Sequence, residues 1–261
     1  MTGAGTVDRN WIRTFHPSPS RQIRLVGFPH AGGSASYYFP ASRALAPRIE
    51  ILAVQYPGRQ DRRNERGVDD IAGLADQISR ALEPATAEPF AFFGHSMGAI
   101  LAFEVARRMQ ERTGRTPSQL FVSGRPAPSR SRPDTVHLRD DAGLLAELKR
   151  LGGVPPELLD QHDLLATALP AARNDYKAIE TYRYVPGPPL LCPITALLGA
   201  DDPMVTVDEA SHWSDHCAGP FRLRVFAGGH FYLGEWPADL LDVISRTLTT
   251  QPSPERTSDR M

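Results

Sequence analysis

Short apolar runs alternate with helix-like patterns along most of the chain. Between the apolar runs, hydrophobic residues recur three or four positions apart, which predicts helices near 71–82, 101–109 and 240–248. The runs themselves are rich in β-forming residues and occur at 23–28, 50–55, 90–93, 120–124, 194–199 and 221–227. This alternation favours an α/β fold, with a mostly parallel central sheet flanked by helices on both faces.

The alternation stops over residues 130–183, where no convincing strand occurs. A Pro- and Arg-rich segment is followed there by the helix-like stretches "DAGLLAELKRL" and "LLATALPAARNDYKAIETY". We interpret 130–183 as a helical insertion at the carboxyl edge of a strand, where α/β proteins place their ligand crevice. Ordinary crossover helices with a long loop are the alternative. The predicted core is then 1–129 with 184–250, and the polar tail 251–261 is expected to be disordered.

Composition and charge limit the classes of function. The 261 residues suit one large α/β domain, and 29 Lys and Arg against 30 Asp and Glu give no global attraction to nucleic acid or an anionic membrane. No apolar stretch is long enough to span a bilayer, and the first residues lack a signal-peptide core, so we expect a cytoplasmic protein. Cys192 and Cys217 fit neither a disulfide framework nor a zinc site.

The segment "FFGHSMGAI" contains the pattern G-x-S-x-G between an apolar strand and a helix-forming run. At such a strand-to-helix turn, glycines permit close approach of the backbone, and the serine hydroxyl is lifted clear of the sheet. Ser96 is therefore a candidate nucleophile, and the Met97 N–H at the helix start is a candidate donor to developing negative charge. A structural serine in a glycine-lined turn is the alternative.

A serine nucleophile needs a base and an acid that orients the base. His230 follows the predicted strand 221–227 after two glycines, and Asp201 and Asp202 follow the strand 194–199. Thr206 and Glu209 form a capping box for the next helix, predicted over 207–217, so Asp202 is not needed as its cap. Asp202 also precedes a proline, which restricts its backbone. We favour Asp202 over Asp201 as the partner of His230.

The glycine-rich stretch "GFPHAGGSAS" lacks the order of a phosphate-binding loop. As a loop after an early strand it suits a second oxyanion donor, and Ala31 is the candidate, with His30 ordering the loop by a hydrogen bond or lying half-buried in it. His212 and His216 lie one helical turn apart, but no third ligand is evident, so no metal site is predicted. No cofactor is predicted either.

Five segments in this order resemble the thioesterases of polyketide and nonribosomal peptide synthesis, especially the stand-alone type II enzymes of the α/β-hydrolase superfamily. The segments are "FPHAGGSAS", "QYPGRQDR", "FFGHSMGAI", "LLGADDPMV" and "FAGGHFYL". The resemblance implies an α/β-hydrolase fold with 130–183 as a helical lid. It also implies Ser96 as nucleophile, Asp202 and His230 as its partners, and the amides of Ala31 and Met97 as the oxyanion hole.

The resemblance further implies the substrate: acyl groups on the phosphopantetheine arm of acyl or peptidyl carrier proteins, from which stalled or aberrant units are removed. No carrier-like segment is evident in the chain, so the carrier is expected on a separate synthase, in trans. Positive charge at Arg62, Arg63, Arg130 and Arg132 is a candidate docking surface, with plain solvated arginines as the alternative. A carboxylesterase of small esters and a non-catalytic hydrolase-fold subunit remain alternative functions.

Overall fold

The computed structural model describes residues 8–130, 132, 134–153 and 162–249, and for 162–167 it describes the backbone alone. A seven-stranded sheet forms its centre, in the order β1-β3-β2-β4-β5-β6-β7. All neighbouring strands are parallel except β1, which pairs antiparallel with β3 at the edge. The predicted tail 251–261 lies outside the described residues.

The strands match the apolar runs closely. They are β1 (Ile12–Arg13), β2 (Ile23–Phe28), β3 (Ile49–Val54), β4 (Phe90–His95), β5 (Leu120–Ser123), β6 (Ile194–Gly199) and β7 (Phe221–Phe226). Only the short edge strand β1 was not predicted, because two residues give no detectable periodicity. The central strands β3, β4, β5 and β6 are buried throughout, as expected for a parallel sheet that helices cover on both faces.

Helices cover both faces of the sheet and divide its apolar side chains between two clusters. They are α1 (Phe39–Leu45), α2 (Ile71–Leu82), α3 (Met97–Thr113), α4 (Asp141–Leu151), α5 (His162–Glu180), α6 (Val207–Ser211) and α7 (Ala238–Thr249). Because neighbouring strand residues face opposite sides, Phe92 packs with α2 and α3, whereas Phe93 packs with α1 and α7. The α/β-hydrolase architecture expected from the sequence is confirmed.

The helix predicted over 207–217 is shorter than expected. The capping box of Thr206 and Glu209 begins it as predicted, but the α-helix ends at Ser211 and a 3₁₀ turn continues over His212–His216. The turn is fixed by tertiary contacts, since Trp213 is fully buried and donates its indole N–H to the Arg125 carbonyl over 2.9 Å. Packing of one large side chain therefore overrides the helical pattern.

The region between β5 and β6 contains α4 and α5 and, within its described residues, no strand. Residues of α4 and α5 share a small apolar cluster with Val136, separate from the two clusters of the sheet. The helix α5 also contacts the segment before α2, because the side-chain amide of Asn174 donates to the Val68 carbonyl over 2.9 Å. Helices therefore lie between β5 and β6, whereas the bounds 130–183 of the insertion and its function as a lid stay predictions.

Candidate active site

Ser96 occupies a sharp turn between β4 and α3. Its φ of 54° and ψ of −117° lie in a region that non-glycine residues rarely adopt. The turn brings strand and helix so close that a β-carbon on Gly94 would lie 2.1 Å from the Gly98 carbonyl oxygen. Strain of this kind persists only where the surroundings enforce it, and it commonly marks a functional position. Ser96 is left half-buried at the carboxyl end of the central strand.

The loops after β6 and β7 bring Asp202 and His230 together. Nδ1 of His230 lies 2.9 Å from Oδ2 and 3.0 Å from Oδ1 of Asp202, and both side chains are buried. Oδ1 of Asp202 also accepts the Met204 N–H over 2.8 Å, which fixes the carboxylate. Asp201 is exposed to solvent. The preference for Asp202 as the partner of His230 therefore agrees with the geometry.

A second histidine, His95, directly precedes Ser96 in the chain and packs beside the ring of His230. Its ring centroid is 4.9 Å from that of His230, and its Nδ1 is 3.0 Å from the Ser123 hydroxyl, which in turn lies 2.8 Å from the Tyr232 hydroxyl. Burial, followed by the proximity of His230 and His30, lowers the pKa of His95 well below its ordinary value. His95 is therefore a neutral ring that packs beside His230.

The candidate oxyanion donors lie where two loops meet at the same edge of the sheet. Met97 is the first residue of α3, and the first N–H groups of a helix have no intrahelical acceptor. Ala31 lies in the loop after β2, and no acceptor for its N–H is present among the described residues. The loop is held closely against α3, because a β-carbon on Gly98 would lie 2.0 Å from the Phe28 carbonyl oxygen.

A buried ion pair supports the loop that carries Ala31. Arg59 lies after β3 and forms a bidentate pair with Asp175 of α5, with N–O distances of 2.5 and 2.7 Å. The pair also contacts the loop backbone, since Gly32 N–H donates to Asp175 over 2.8 Å and Arg59 donates to the Gly33 carbonyl over 2.9 Å. Sequence reasoning missed this pair because its members are 116 positions apart.

His30 orders the same loop by packing. Among the described residues its side chain makes no hydrogen bond, and its buried Nδ1 has no partner. Its ring instead contacts the rings of Tyr37 and Phe231, each at a centroid distance of 4.7 Å. Burial, with His230 and Arg59 nearby, lowers the pKa of His30 to about 3, so its ring is neutral. Of the two alternatives for His30, the half-buried loop histidine therefore agrees with the structure.

His212, His216 and Cys192 have partners or surroundings of their own. His212 pairs with Asp215 over 3.0 Å, and Nε2 of His216 lies 2.9 Å from the Ser129 hydroxyl. Within 8–130, 132, 134–153 and 162–249, no three His, Cys, Asp or Glu side chains are grouped as metal ligands would be. Cys192 is buried and free, and burial raises the pKa of its thiol to about 12.

The four arginines of the candidate docking surface have different environments. Arg62 is buried, donates to the Gln55 carbonyl over 2.8 Å, and stacks on Trp11 with its guanidinium carbon 4.3 Å from the ring centroid. Arg132 forms an ion pair with Glu209. Arg62 is therefore neither a solvated arginine nor well placed for docking, because its guanidinium is packed into the fold, and docking through the exposed arginines stays a prediction. Arg63 and Arg130 are exposed.

In the described part of the chain, no helix is long and apolar enough to cross a membrane.

The sequence profile of the thioesterase domain matches residues 23–249. A cadicidin biosynthesis thioesterase of Streptomyces griseus, described as probable, is 48% identical over 98% of this chain and 70% of its own length. Thioesterase PikA5 of Streptomyces venezuelae is 48% identical over 94% of this chain and 88% of its own.

A solved structure gives the same assignment from the fold. The type II thioesterase BorB of the borrelidin biosynthetic cluster is 52% identical and superimposes with a TM-score of 0.87, over 94% of this chain and all of BorB. The matches of the profile, the two relatives and this structure each cover most of the chain. The chain belongs to the thioesterase family of hydrolases.

Proposed function

We propose that this chain is a stand-alone type II thioesterase that hydrolyses acyl groups from the phosphopantetheine arm of acyl or peptidyl carrier proteins, and so removes stalled or aberrant units from a synthase. The observation that carries the proposal is the buried Asp202–His230 pair at the sheet edge where Ser96 is held in a strained turn. BorB is described as a type II thioesterase of a biosynthetic cluster, which supports the same function here.

In the proposed acylation step, Ser96 Oγ attacks the thioester carbonyl carbon and transfers its proton to Nε2 of His230. Asp202 accepts a hydrogen bond from the opposite ring nitrogen and stabilises the imidazolium that forms. The carbonyl electrons move onto oxygen, and the N–H groups of Ala31 and Met97 stabilise this negative charge. Collapse breaks the carbon–sulfur bond, and the leaving thiolate takes the proton from His230.

Deacylation repeats the same proton movements with water. His230 removes a proton from a water molecule that attacks the carbonyl carbon of the acyl-serine ester. Collapse of the second tetrahedral intermediate then breaks the bond to Ser96 Oγ, which takes the proton back from His230 as the free acid leaves. No cofactor is needed in this cycle, because the substrate itself carries phosphopantetheine. The carrier protein would belong to a separate synthase and be served in trans in the cytoplasm, with 130–183 acting as the lid over the acyl group.

The test uses one acyl group attached to a purified carrier protein through the natural thioester and to a small alcohol through an oxygen ester. We expect the carrier thioester to be hydrolysed preferentially. Ser96→Ala should lower thioester turnover by at least about 10³-fold, since the nucleophile of a triad supplies an effect of that order or larger. Ser118→Ala is the matched control, because Ser118 is exposed and remote from the sheet edge that carries the site.

Each alternative function has its own outcome. A strong preference for the oxygen ester would indicate a carboxylesterase of small esters. Absence of turnover, together with failure of Ser96 to react with a fluorophosphonate, would indicate a non-catalytic subunit. Undiminished turnover in Ser96→Ala would rule out any mechanism that uses this serine.

A further inference from the structure

Among the ion pairs that arginine and lysine side chains form in the described residues, the Arg59–Asp175 pair is the most deeply buried, and its two members come from different parts of the fold. Arg59 is 7% exposed and Asp175 is fully buried. Arg59 belongs to the loop after β3, whereas Asp175 belongs to α5 of the helical insertion. Burying two charges costs desolvation, and an apolar pair of similar volume often stabilises a protein at least as well. Stability alone therefore does not explain the pair.

The hydrogen bonds of the pair indicate what it holds. Asp175 accepts the Gly32 N–H over 2.8 Å, and Arg59 donates to the Gly33 carbonyl over 2.9 Å. The Arg59 guanidinium also lies 5.0 Å from the ring centroid of Tyr56, whose hydroxyl donates to the Pro29 carbonyl over 3.0 Å. Backbone groups on both sides of Ala31 are thus fixed by charge-assisted or buried hydrogen bonds.

The insertion contacts this loop a second time, one helical turn before Asp175. Gly32 has a φ of +77°, and a β-carbon there would lie 3.2 Å from the Cβ of Ala172. Ala172 and Asp175 are three positions apart and share one face of α5. The loop is consequently pressed against α5 at Ala172 and hydrogen-bonded to it at Asp175.

We propose that Arg59 and Asp175 are positioning residues that make the oxyanion hole depend on how α5 is seated. The proposal rests on the proposed function, in which the Ala31 N–H is an oxyanion donor. When α5 is in this position, Asp175 accepts the Gly32 N–H and Arg59 donates to the Gly33 carbonyl, which fixes the backbone directly after Ala31 and so the direction of the Ala31 N–H. A shift of α5 would break the bond from Gly32 to Asp175 and remove the carboxylate that holds Arg59, and so lower the stabilisation of the tetrahedral intermediate.

The experiment measures Asp175→Asn and Arg59→Lys in the full chain. For each variant, kcat and KM with an acyl-carrier thioester are compared with Ki for a trifluoromethyl ketone analogue of the same acyl chain, which forms a tetrahedral adduct on serine. We expect kcat to fall by about 10²-fold or more in Asp175→Asn, the order seen when an oxyanion donor is lost. KM should change far less, and Ki should rise in parallel with the fall in kcat.

A matched control removes another ion pair between α5 and the core. Lys177 lies 2.5 Å from Asp69, both are exposed, and the part of the chain that the structure describes contains no hydrogen bond from either side chain to the loop at Ala31. Asp69→Asn should leave kcat and Ki unchanged. Loss of folded protein in a variant lowers apparent kcat but not Ki, so Ki separates positioning from mere destabilisation. If Asp175→Asn does not fold, Arg59→Lys, which keeps the charge but not the bidentate geometry, supplies the same comparison.

Failure of this inference differs from failure of the proposed function. Wild-type protein that hydrolyses carrier thioesters, with folded variants whose Ki is unchanged, would overturn the positioning role and leave the thioesterase function intact. Wild-type protein without thioesterase activity would overturn the function, and the inference with it. A fall in kcat that Asp69→Asn reproduces would show that α5 docking in general matters, and would also overturn the specific role of the pair.

Discussion

The two adjacent aspartates after β6 have different surroundings although they carry the same charge. Asp202 is buried, with one oxygen shared between His230 and the Met204 N–H and the other facing His230 alone. Asp201 is exposed. Since only Asp202 contacts the imidazole of His230, substitutions at the two positions can be compared to test the role of Asp202.

Asp202→Asn should lower kcat by about 10³ to 10⁴-fold with little effect on folding. The asparagine can keep its oxygen on the Met204 N–H, but it then presents an N–H to Nδ1 of His230 and selects the wrong tautomer of the base. Asp201→Asn should retain wild-type kcat. Steady-state turnover of one acyl-carrier thioester by both variants makes the comparison, and equal losses would contradict the assignment of Asp202.

Single residues were predictable from the sequence where local rules apply to them. Ser96, Asp202 and His230 each follow a strand at a recognisable turn, and the capping box at Thr206 removed the main competing function of Asp202. Asp175 carries no such local signal. It lies within a helical pattern, and only the folded chain shows that it faces Arg59 and Gly32. Long-range pairing of this kind has no period or motif to detect.

At the scale of elements, β2, β4 and α3 pack so closely that the glycines between them leave no space for a side chain. Gly98 lies in the first turn of α3, where a β-carbon would come within 2.0 Å of the Phe28 carbonyl oxygen at the end of β2. The obstacle is backbone, which cannot rotate away as a side chain can. The glycine therefore determines how closely the helix that presents Ser96 and Met97 approaches the loop that presents Ala31.

Gly98→Ala should lower the free energy of unfolding by about 3 kcal/mol or more, at the upper end of overpacking effects. Gly114→Ala is the control at the other end of α3. Gly114 has a φ of +68° but open space around it, so alanine there should cost about 1 kcal/mol from backbone strain alone. Urea denaturation of the two variants tests the difference, and similar losses would mean that close approach at Gly98 is unimportant.

Element types were predictable because the strands are mostly apolar and helices such as α2 are amphipathic. Element ends were less so. The sequence pattern continues the helix that begins at Val207 through residue 217, whereas burial of Trp213 and its hydrogen bond to the Arg125 carbonyl convert the second half to a 3₁₀ turn. Hydrophobic periodicity shows which residues are apolar, but it does not show where a large side chain such as Trp213 packs in the folded protein.

At the scale of the whole molecule, the candidate active site contains two histidines, His30 and His95, whose rings are neutral. Burial lowers the pKa of His30 to about 3 and that of His95 well below its ordinary value. In the unfolded chain both rings take up protons below about pH 6.5. Between pH 6.5 and the lower folded pKa values, the unfolded state therefore binds more protons than the folded state, and stability must fall as the pH falls.

For His30 alone, the loss between pH 7 and pH 5 should reach about 2 kcal/mol. His30→Gln removes this titration, so the variant should lose correspondingly less of its unfolding free energy over the same interval, whatever its stability at pH 7. Chemical denaturation of wild type and variant at both pH values gives the comparison, because the packing effect of the substitution cancels within each protein. A variant with the full wild-type pH dependence would show that His30 is protonated in the folded state, and would contradict the neutral ring beside the loop of Ala31.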